Sequence, residues 1–462
     1  MERIKRILLV NPVNSQRGLA TTSFTKCKPM ALGVLAGLTP PGVEIILIDE
    51  NYDCFEEKIA LAGKVDLAGI TAFTSTVTRG YEIASALKAS GVPVVMGGIH
   101  VSFNHEEALK YCDSVVIGEA EGVWERLLLD ADGGGLKKVY KQEKEHGDVT
   151  IGPFKNSIFS GKYFWGAVQT SRGCPMNCDF CTVTIFNGFK YRLRPIGGII
   201  TELKEIKQKH VFFYDDNIVG RTKEQKARAV ELFKRIVAEG IDKHWFCQCS
   251  INVGEDDEVL KWMYRSGCRM MLVGFESVDG DNLKSMNKGH NLALLKRYPE
   301  LIGRIHSHGI AVLGSFMVGY PYDSFRTVKV LPDFINRMGI DAFQLTHLTP
   351  FPGTKTYARF LEEGRITKMD YPEDWSKYNF SNVVYRHETL TEEELLNIVY
   401  GVKNALTLPM TAVLGRFFKT LFLTRSFSTA LISFLWNLGV RRAYVNGIKR
   451  RKAEGRMSRV QG

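Results

Sequence analysis

The sequence predicts an α/β protein in three parts. Residues 1–150 read as a doubly wound parallel sheet, 151–370 as six β/α units forming a parallel barrel or part of one, and 371–462 as a helical region. Three observations carry this. In the first part, short uninterrupted apolar runs alternate with helical patterns, as strands buried on both faces of a parallel sheet do. From 166 to 346 the alternation recurs in six units of the length a parallel barrel uses. Beyond 391 the periodicity is helical alone.

The 462 residues are 45% hydrophobic and 24% charged, values ordinary for a soluble globular chain. That length accommodates two or three domains of ~100–200 residues. The net charge is +11, of which the last 22 residues hold +7: eight Arg/Lys against Glu454. Basicity is therefore local to one end, and no nucleic-acid partner is expected for the body of the protein. The nine cysteines are scattered, and a charged lead into a strand stands where a secretory signal would be. Both features suit a reducing cytoplasm. No uncharged apolar run reaches the roughly 18 residues of a spanning helix.

In the first part, strands are expected at 7–10, 45–48, 67–72, 94–96 and 114–117, with helices at 30–38 and 80–90. Ligands of such sheets bind at the carboxyl ends of the strands. Asn11, Thr71, Thr74, Ser75, Gly97 and Gly98 fall there. No G-x-G-x-x-G follows the first strand, so a nicotinamide cofactor has little support. Residues 132–146 read as a loop and linker.

The second part opens with a strand at 166–170, followed by Ser171-Arg-Gly-Cys174-Pro-Met-Asn-Cys178-Asp-Phe-Cys181. Thiolates are soft ligands for zinc or iron–sulfur clusters. No fourth Cys or His follows at a zinc-finger spacing. Three ligands on a four-iron cluster leave one iron open. The plainer alternatives are a zinc knuckle or three buried free thiols. Helices are expected at 198–208, 223–238, 255–265, 292–308 and 326–338, with strands at 211–214, 245–249, 270–274, 311–318 and 342–346. Polar residues gather at the strand ends: Tyr214-Asp215-Asp216-Asn217, then Gln248 and Ser250, then Glu276, Gly319-Tyr320-Pro321, and Thr346-His347-Leu-Thr349-Pro350-Phe-Pro-Gly353-Thr354. Taken singly, each is also a helix cap or turn. Cys247 and Cys249 alternate with Gln248 and should point to the opposite, buried face. His347 reads as a pocket or turn residue.

In the third part a helix at 391–406 opens on Thr391-Glu-Glu-Glu394, a capping-box pattern. Leu414, Phe417, Phe418 and Leu421, then Phe427, Leu431, Phe434, Leu435 and Leu438, repeat at helical spacing before the basic end. Such faces beside Arg/Lys can lie on an anionic membrane. The competing expectation, and the favoured one, is that both helices pack on the barrel.

The cysteine spacing and the ordered strand ends resemble the radical S-adenosylmethionine (radical SAM) superfamily. The sheet before them resembles the cobalamin-binding domain that precedes many members. The resemblance covers residues 1 to about 355. It implies a [4Fe-4S] cluster on Cys174, Cys178 and Cys181, with Phe180 against the adenine of SAM. It implies that Asp215, Asp216 and Asn217 hold the methionine end, that Gln248, Ser250 and Glu276 reach the ribose, and that Gly319 lies near adenine. Thr71, Thr74, Ser75, Gly97 and Gly98 would contact the nucleotide tail of cobalamin, with Asn11 nearby. The Asp-x-His-x-x-Gly segment of other cobalamin proteins is absent, Asn11-Pro-Val-Asn-Ser-Gln-Arg-Gly18 standing there instead. A histidine on cobalt from that loop is therefore not expected. His100 is the substitute to weigh against an ordinary loop histidine.

The implied activity is methylation of an unactivated carbon, after a 5′-deoxyadenosyl radical takes its hydrogen. A flavodoxin- or ferredoxin-like electron donor and a small-molecule, lipid or protein substrate go with it. Two other enzyme classes share the architecture. One is a radical enzyme that forms or rearranges carbon–carbon bonds without methyl transfer. The other is a tRNA methylthiotransferase, for which Cys27, Cys54 and Cys112 supply the number of ligands but not the placement. A cluster-bearing binding protein is the non-enzymatic alternative.

Overall fold

The computed structural model describes residues 4–14, 26–142, 150–159 and 161–453. Its first sheet holds β1 (Arg6–Asn11), β2 (Glu44–Asp49), β3 (Leu67–Thr71), β4 (Val94–Gly97), β5 (Ser114–Ile117) and β6 (Val139–Lys141). All six run parallel in the order β2-β1-β3-β4-β5-β6. The sheet is covered on both faces, which is why its strands read as continuous apolar runs. Ile7 and Leu9 pack with Leu32, Trp124 and Leu127 on one side. Leu8 and Val10 pack with Val77, Tyr81 and Ala84 on the other.

The expected linker at 132–146 proves to contain β6. Only Tyr140 is buried, between exposed Val139 and Lys141, and one alternation is too short to register as a strand. The Tyr140 hydroxyl donates to Asp130 Oδ2 at 2.8 Å. Residues 143–146 of that stretch lie outside the described residues.

The second sheet begins with β7 (Trp165–Val168). A two-residue antiparallel pair, β8 (Ser171–Arg172) and β9 (Arg192–Leu193), follows and brackets the cysteine loop. Then come β10 (His210–Phe213), β11 (His244–Cys249), β12 (Cys268–Glu276), β13 (Ala311–Val318) and β14 (Ala342–His347). The six long strands pair in parallel in chain order, β7 and β14 forming the two edges of an open arc. All six carboxyl ends therefore lie at one mouth.

The expected helix at 292–308 is broken into Gly289–Leu294, a short 3₁₀ turn and Tyr298–Ser307. Pro299 stands in the first turn of the last piece, where a missing N–H costs nothing. A further helix, Gly280–Ser285, precedes them. Asp279 caps it, accepting from the amides of Asp281 and Asn282.

In the third part the Glu392–Thr407 helix opens on the capping box, with Thr391 and Glu394 exchanging bonds. The Phe427–Ala453 helix sends Ile432 and Trp436 into a cluster with Trp165, Phe246, Met270 and Leu313. It closes the amino-terminal pole of the barrel. The Met410–Thr424 helix departs from the expectation of apolar packing. Its buried side chains are Val413, Arg416, Thr420 and Thr424, while Leu414, Phe418 and Phe422 are exposed. Most of these polar groups are bonded: Thr420 Oγ1 donates to Asp341 Oδ1 at 2.6 Å, Thr424 Oγ1 to the Thr420 carbonyl at 2.7 Å and Arg416 Nη2 to the Leu406 carbonyl at 2.6 Å, while Arg416 Nε has no partner among the described residues. These bonds let the polar stripe face inward, and they turn Leu414, Phe418 and Phe422 out while Phe417 and Leu421 stay half-buried.

Candidate active site

The cysteine loop lies at the barrel mouth and is held from three directions. From β10, Asp216 Oδ2 accepts from the Gly173 amide at 3.2 Å. From the segment after β12, Asn287 Nδ2 donates to the Asn177 carbonyl at 2.7 Å. The Asp179 amide donates to the Met286 carbonyl at 3.3 Å. From beyond β14, the Thr356 amide donates to the Asp179 carbonyl at 3.1 Å. Asn287 adopts a left-handed backbone, φ 58°, which asparagine tolerates better than most residues.

Cys174, Cys178 and Cys181 are half-buried free thiols. Burial, against a lowering pull from Lys288, pushes the Cys178 thiol up to about 11, and burial with a smaller contribution from the neighbouring cysteines pushes the Cys181 thiol up to about 12. The Cys174 thiol is raised as well, first by burial. Metal binding must therefore displace protons near neutral pH. Among the described residues, no three His, Cys, Asp or Glu side chains converge as a single metal ion requires. Three cysteine thiolates on one loop are a ligand set that suits an iron–sulfur cluster.

The Tyr214–Asn217 segment is heavily engaged within the fold. The Tyr214 hydroxyl donates to the Lys28 carbonyl at 3.0 Å, reaching the first domain. Asp215 is fully buried and accepts from the Thr170 amide, the Thr170 hydroxyl at 2.8 Å and the Ser171 hydroxyl. Burial raises its carboxyl despite these bonds. Asn217 Nδ2 donates to Ser250 Oγ at 3.0 Å, and its carbonyl accepts from the Tyr191 hydroxyl at 2.7 Å. Asp216 is raised to about 6, burial being the main cause, and it lines a cavity described below.

Glu276 ends β12 with φ 63°, a conformation that costs a non-glycine residue about 1–3 kcal/mol. Its carboxylate meets the buried Lys288 ammonium at 2.5 Å. A Cβ at Gly274 would lie 2.4 Å from Glu276 Oε1, so glycine there makes room for the carboxylate. Burial alone would lower the Lys288 ammonium, but Glu276 and the Cys178 and Cys181 thiols raise it. Lys288 also lies 5.8 Å from the Phe180 ring centroid. Phe180 meets Tyr320 edge-on at 6.5 Å. Among the described residues the buried Tyr320 hydroxyl has no hydrogen-bond partner, and burial, then Glu276, raises its pKa. A buried orphan hydroxyl beside the cysteine loop is what a missing polar ligand leaves behind.

Gln248 is half-buried on β11, while Cys247 and Cys249 are buried on the other face. Gly319 has φ 121°, and a Cβ there would lie 2.1 Å from the Tyr385 hydroxyl. That hydroxyl donates to the Gly319 carbonyl at 2.6 Å. The glycine thus accommodates Tyr385 directly. His347 is buried, its amide bonded to the Phe380 carbonyl at 2.9 Å.

A cavity of about 260 Å³ opens between the two sheets. Thr71, Gly97, Gly98, Val116 and Trp124 line it from the first domain; Gln169, Arg172, Phe186, Asn187 and Asp216 line it from the second. It thus extends from the carboxyl ends of β3–β5 to the cysteine loop. Gly98 has φ 101°, and a Cβ there would lie 2.8 Å from the Ala72 carbonyl. Gly97 has an ordinary backbone, and its Cβ would find only Val116 at 3.6 Å. Asn11 donates to Asp49 at 2.8 Å, and neither it, Thr74 nor Ser75 lines the cavity. His100 is fully buried, 3.3 Å from Thr74 Oγ1, 3.5 Å from Glu107 and edge-on to Trp375. It too is absent from the lining.

Sequence reasoning missed Lys288, Tyr320, Arg172 and the Glu119–Glu121 pair. Lys288 follows an unpredicted helix, and nothing marked it before the fold was known. Tyr320 stood inside a quoted motif, but only the glycine drew attention.

A doubly wound sheet facing a six-strand open barrel, with a three-cysteine loop between them, defines a two-domain radical enzyme. The Radical SAM superfamily matches residues 168–335 and the B12 binding domain residues 16–128. The chain is 32% identical over 381 residues to the bacteriochlorophyllide d C-8(2)-methyltransferase of Chlorobaculum tepidum, spanning 78% of this chain and 81% of that protein. It is 27% identical over 359 residues to the hopanoid C-2 methylase of Rhodopseudomonas palustris, spanning 74% and 66%. The radical SAM methyltransferase TsrM from Kitasatospora setae, solved with cobalamin and a [4Fe-4S] cluster, shares the fold. Its TM-score is 0.70 at 17% identity, covering 96% of this chain and 99% of that one.

The chain belongs to the cobalamin-dependent radical SAM methyltransferases. It is an enzyme of methyl transfer whose cofactors are SAM, a [4Fe-4S] cluster and cobalamin. A reductant and a small-molecule substrate complete its requirements.

Proposed function

We propose that the enzyme methylates an unactivated carbon of a largely apolar small molecule, with the cluster loop and the interdomain cavity as the two halves of its active site. The observation that carries this reading is the cavity itself, which runs from Gly97 and Gly98 to Asp216 beside the cysteine loop. The substrate class draws on relatives named for a bacteriochlorophyllide and a hopanoid, both large carbon-rich ring systems.

In this reading Cys174, Cys178 and Cys181 hold the cluster. Phe180 and Tyr320 form the wall against SAM, the Tyr320 hydroxyl offering a bond that the described residues leave unmade. Glu276, fixed by Lys288, and Gln248 face its polar groups. Asp216 borders both halves. Asp215, Asn217 and Ser250 hold the mouth in shape through the bonds they already make. Thr71, Gly97 and Gly98 admit the cobalamin tail, with Asn11, Thr74 and Ser75 shaping the loops behind. Bound in these places, the cluster with SAM supplies a hydrogen-abstracting radical, and cobalamin supplies the methyl group. The protein contributes position and the exclusion of water.

The electron donor in this scheme is a flavodoxin- or ferredoxin-like protein, in the cytoplasm. The basic C-terminal region gives peripheral contact with an anionic membrane. Among the described residues no single helix is long and apolar enough to cross a membrane, although the bent pair Glu392–Thr407 and Met410–Thr424 passes on length and composition.

Anaerobic reconstitution with SAM, cobalamin and a reductant tests the chemistry. 5′-Deoxyadenosine and S-adenosylhomocysteine should both form with an apolar ring substrate. Deoxyadenosine without S-adenosylhomocysteine, in the presence of a consumed substrate, would replace methyl transfer by carbon-skeleton chemistry.

A further inference from the structure

The Met410–Thr424 helix turns part of its apolar surface, Leu414, Phe418 and Phe422, outward. Its buried stripe is Val413, Arg416, Thr420 and Thr424, while Phe418 is 62% exposed and Phe422 81%. At the turn into the next helix, Phe427 is 64% exposed. Between these last two, Arg425 caps the helix in a left-handed conformation, φ 51°. An aromatic stripe turned to water is costly, and a patch of this kind marks a contact surface.

Charge identifies what covers it. Residues 395–453 contain ten Lys/Arg and no Asp or Glu. Lys419, Arg425, Arg442 and Lys449 are exposed cations of the two helices. A second copy placed face to face would bring like charges together, whereas an anionic bilayer accepts both the aromatic stripe and the cations.

The position in the fold fixes the orientation. Thr420 bonds Asp341, Thr429 Oγ1 donates to the Gly309 carbonyl at 3.0 Å, and Asn437 Nδ2 donates to the Asp341 carbonyl at 2.7 Å. Gly309 and Asp341 precede β13 and β14. The aromatic helix therefore sits at the amino-terminal pole of the barrel, and the cysteine loop at the other. β13 has eight residues, so the poles stand roughly 25 Å apart at ~3.3 Å per residue.

We propose that the Met410–Thr424 helix and the turn that follows dock on an anionic lipid bilayer. Phe418, Phe422 and Phe427 enter the headgroup–acyl boundary while the active-site mouth faces solution. This rests on the peripheral-contact reading above and alters it in two ways. The aromatic helix, not the basic tail alone, makes the contact. The contact tethers the enzyme and does not feed lipid into the site.

The test is co-sedimentation of the intact enzyme with phosphatidylcholine vesicles, with and without phosphatidylglycerol, for the wild type, a Phe418→Glu/Phe422→Glu variant and a Lys449→Gln/Arg450→Gln/Arg451→Gln/Lys452→Gln variant of the basic tail. The wild type should sediment with the anionic vesicles at low salt. The double variant should bind about tenfold more weakly or worse, with unchanged circular dichroism and unchanged 5′-deoxyadenosine formation. The tail variant should lose less. Wild-type protein left in the supernatant with anionic vesicles would overturn membrane contact altogether. Binding retained by the double variant but lost by the tail variant would leave contact standing and overturn the placement. A dimer in solution that the double variant dissolves, without vesicle binding, would assign the stripe to a second copy instead. Loss of deoxyadenosine formation in a folded double variant would overturn the separation of tether from site.

Discussion

Asp215→Asn separates two roles that position alone allows the same carboxylate. The resemblance gives it to the methionine end of SAM. In the fold it accepts from three donors, the Thr170 amide and the hydroxyls of Thr170 and Ser171. Each charge-assisted bond to a buried carboxylate is worth about 1.5–3 kcal/mol. Asparagine keeps one acceptor oxygen and turns an N–H group toward donors that need an acceptor. Relief from burying a charge, the cause of the raised Asp215 carboxyl, offsets part of this. The net loss should be about 2–4 kcal/mol. It falls on the segment between β7 and β8 that leads into the cysteine loop.

Urea unfolding and iron content after reconstitution read the outcome. The variant should unfold at lower urea and load less cluster. In the loaded fraction, the apparent SAM affinity should stay within about twofold of wild type, under 0.5 kcal/mol. Full stability and full loading, with SAM affinity down about tenfold or more, would refute the scaffold role and return Asp215 to the substrate.

Cys178→Ala should abolish 5′-deoxyadenosine formation while the protein still retains cobalamin on gel filtration, because the cavity residues of the first domain are untouched; wild-type yield from a cluster-free variant would reject the cluster assignment. Gly97→Trp should fill the cavity and remove cobalamin retention without unfolding, whereas Gly98→Ala should destabilise the fold itself, its Cβ meeting the Ala72 carbonyl at 2.8 Å; retention by the tryptophan variant counts against the cavity. Lys288→Met should destabilise the cofactor-free protein by about 3–5 kcal/mol, since it strands a buried carboxylate; adding Glu276→Gln should recover most of this in thermal melts, and no recovery would show that the pair is not the source.

The fold was legible wherever burial on both faces makes apolar runs continuous. β1, β3 and β13 stood out for that reason. β6 did not, because its one buried residue, Tyr140, leaves no period to count. The mouth of the barrel was legible as a place: Asp216, Gln248, Glu276 and the cysteine loop all follow strands, and parallel strands bring those ends together. Bonding at that mouth was not. Asp215 and Asp216 are adjacent and chemically identical, yet one is enclosed by three donors and the other borders a cavity. Lys288 is invisible in sequence because its partner lies twelve residues away across one short helix. The outward turn of Leu414, Phe418 and Phe422 on the Met410–Thr424 helix was missed for a related reason. Apolar periodicity says that a stripe exists, but only the partners of Arg416 and Thr420 decide which stripe turns inward.

The cysteine loop depends on the first domain for more than a cofactor. β8 and β9 bracket the loop, and their register places Arg172 directly opposite Arg192. Like charges so placed on a two-residue pair are destabilising. The first domain supplies the compensation. Arg172 Nη1 lies 3.0 Å from Glu119 and 2.7 Å from Glu121, and Arg192 Nη1 donates to Glu119 at 2.8 Å. All four side chains are at least nine-tenths buried. Desolvation consumes much of the attraction in such a network, so its net stability is small. The two carboxylates follow β5 and line the cavity, while the two arginines close the hairpin around the cluster loop. The hairpin is electrostatically complete only when the sheets are in one relative position. That position is the one that sets the interdomain cavity beside the cysteines.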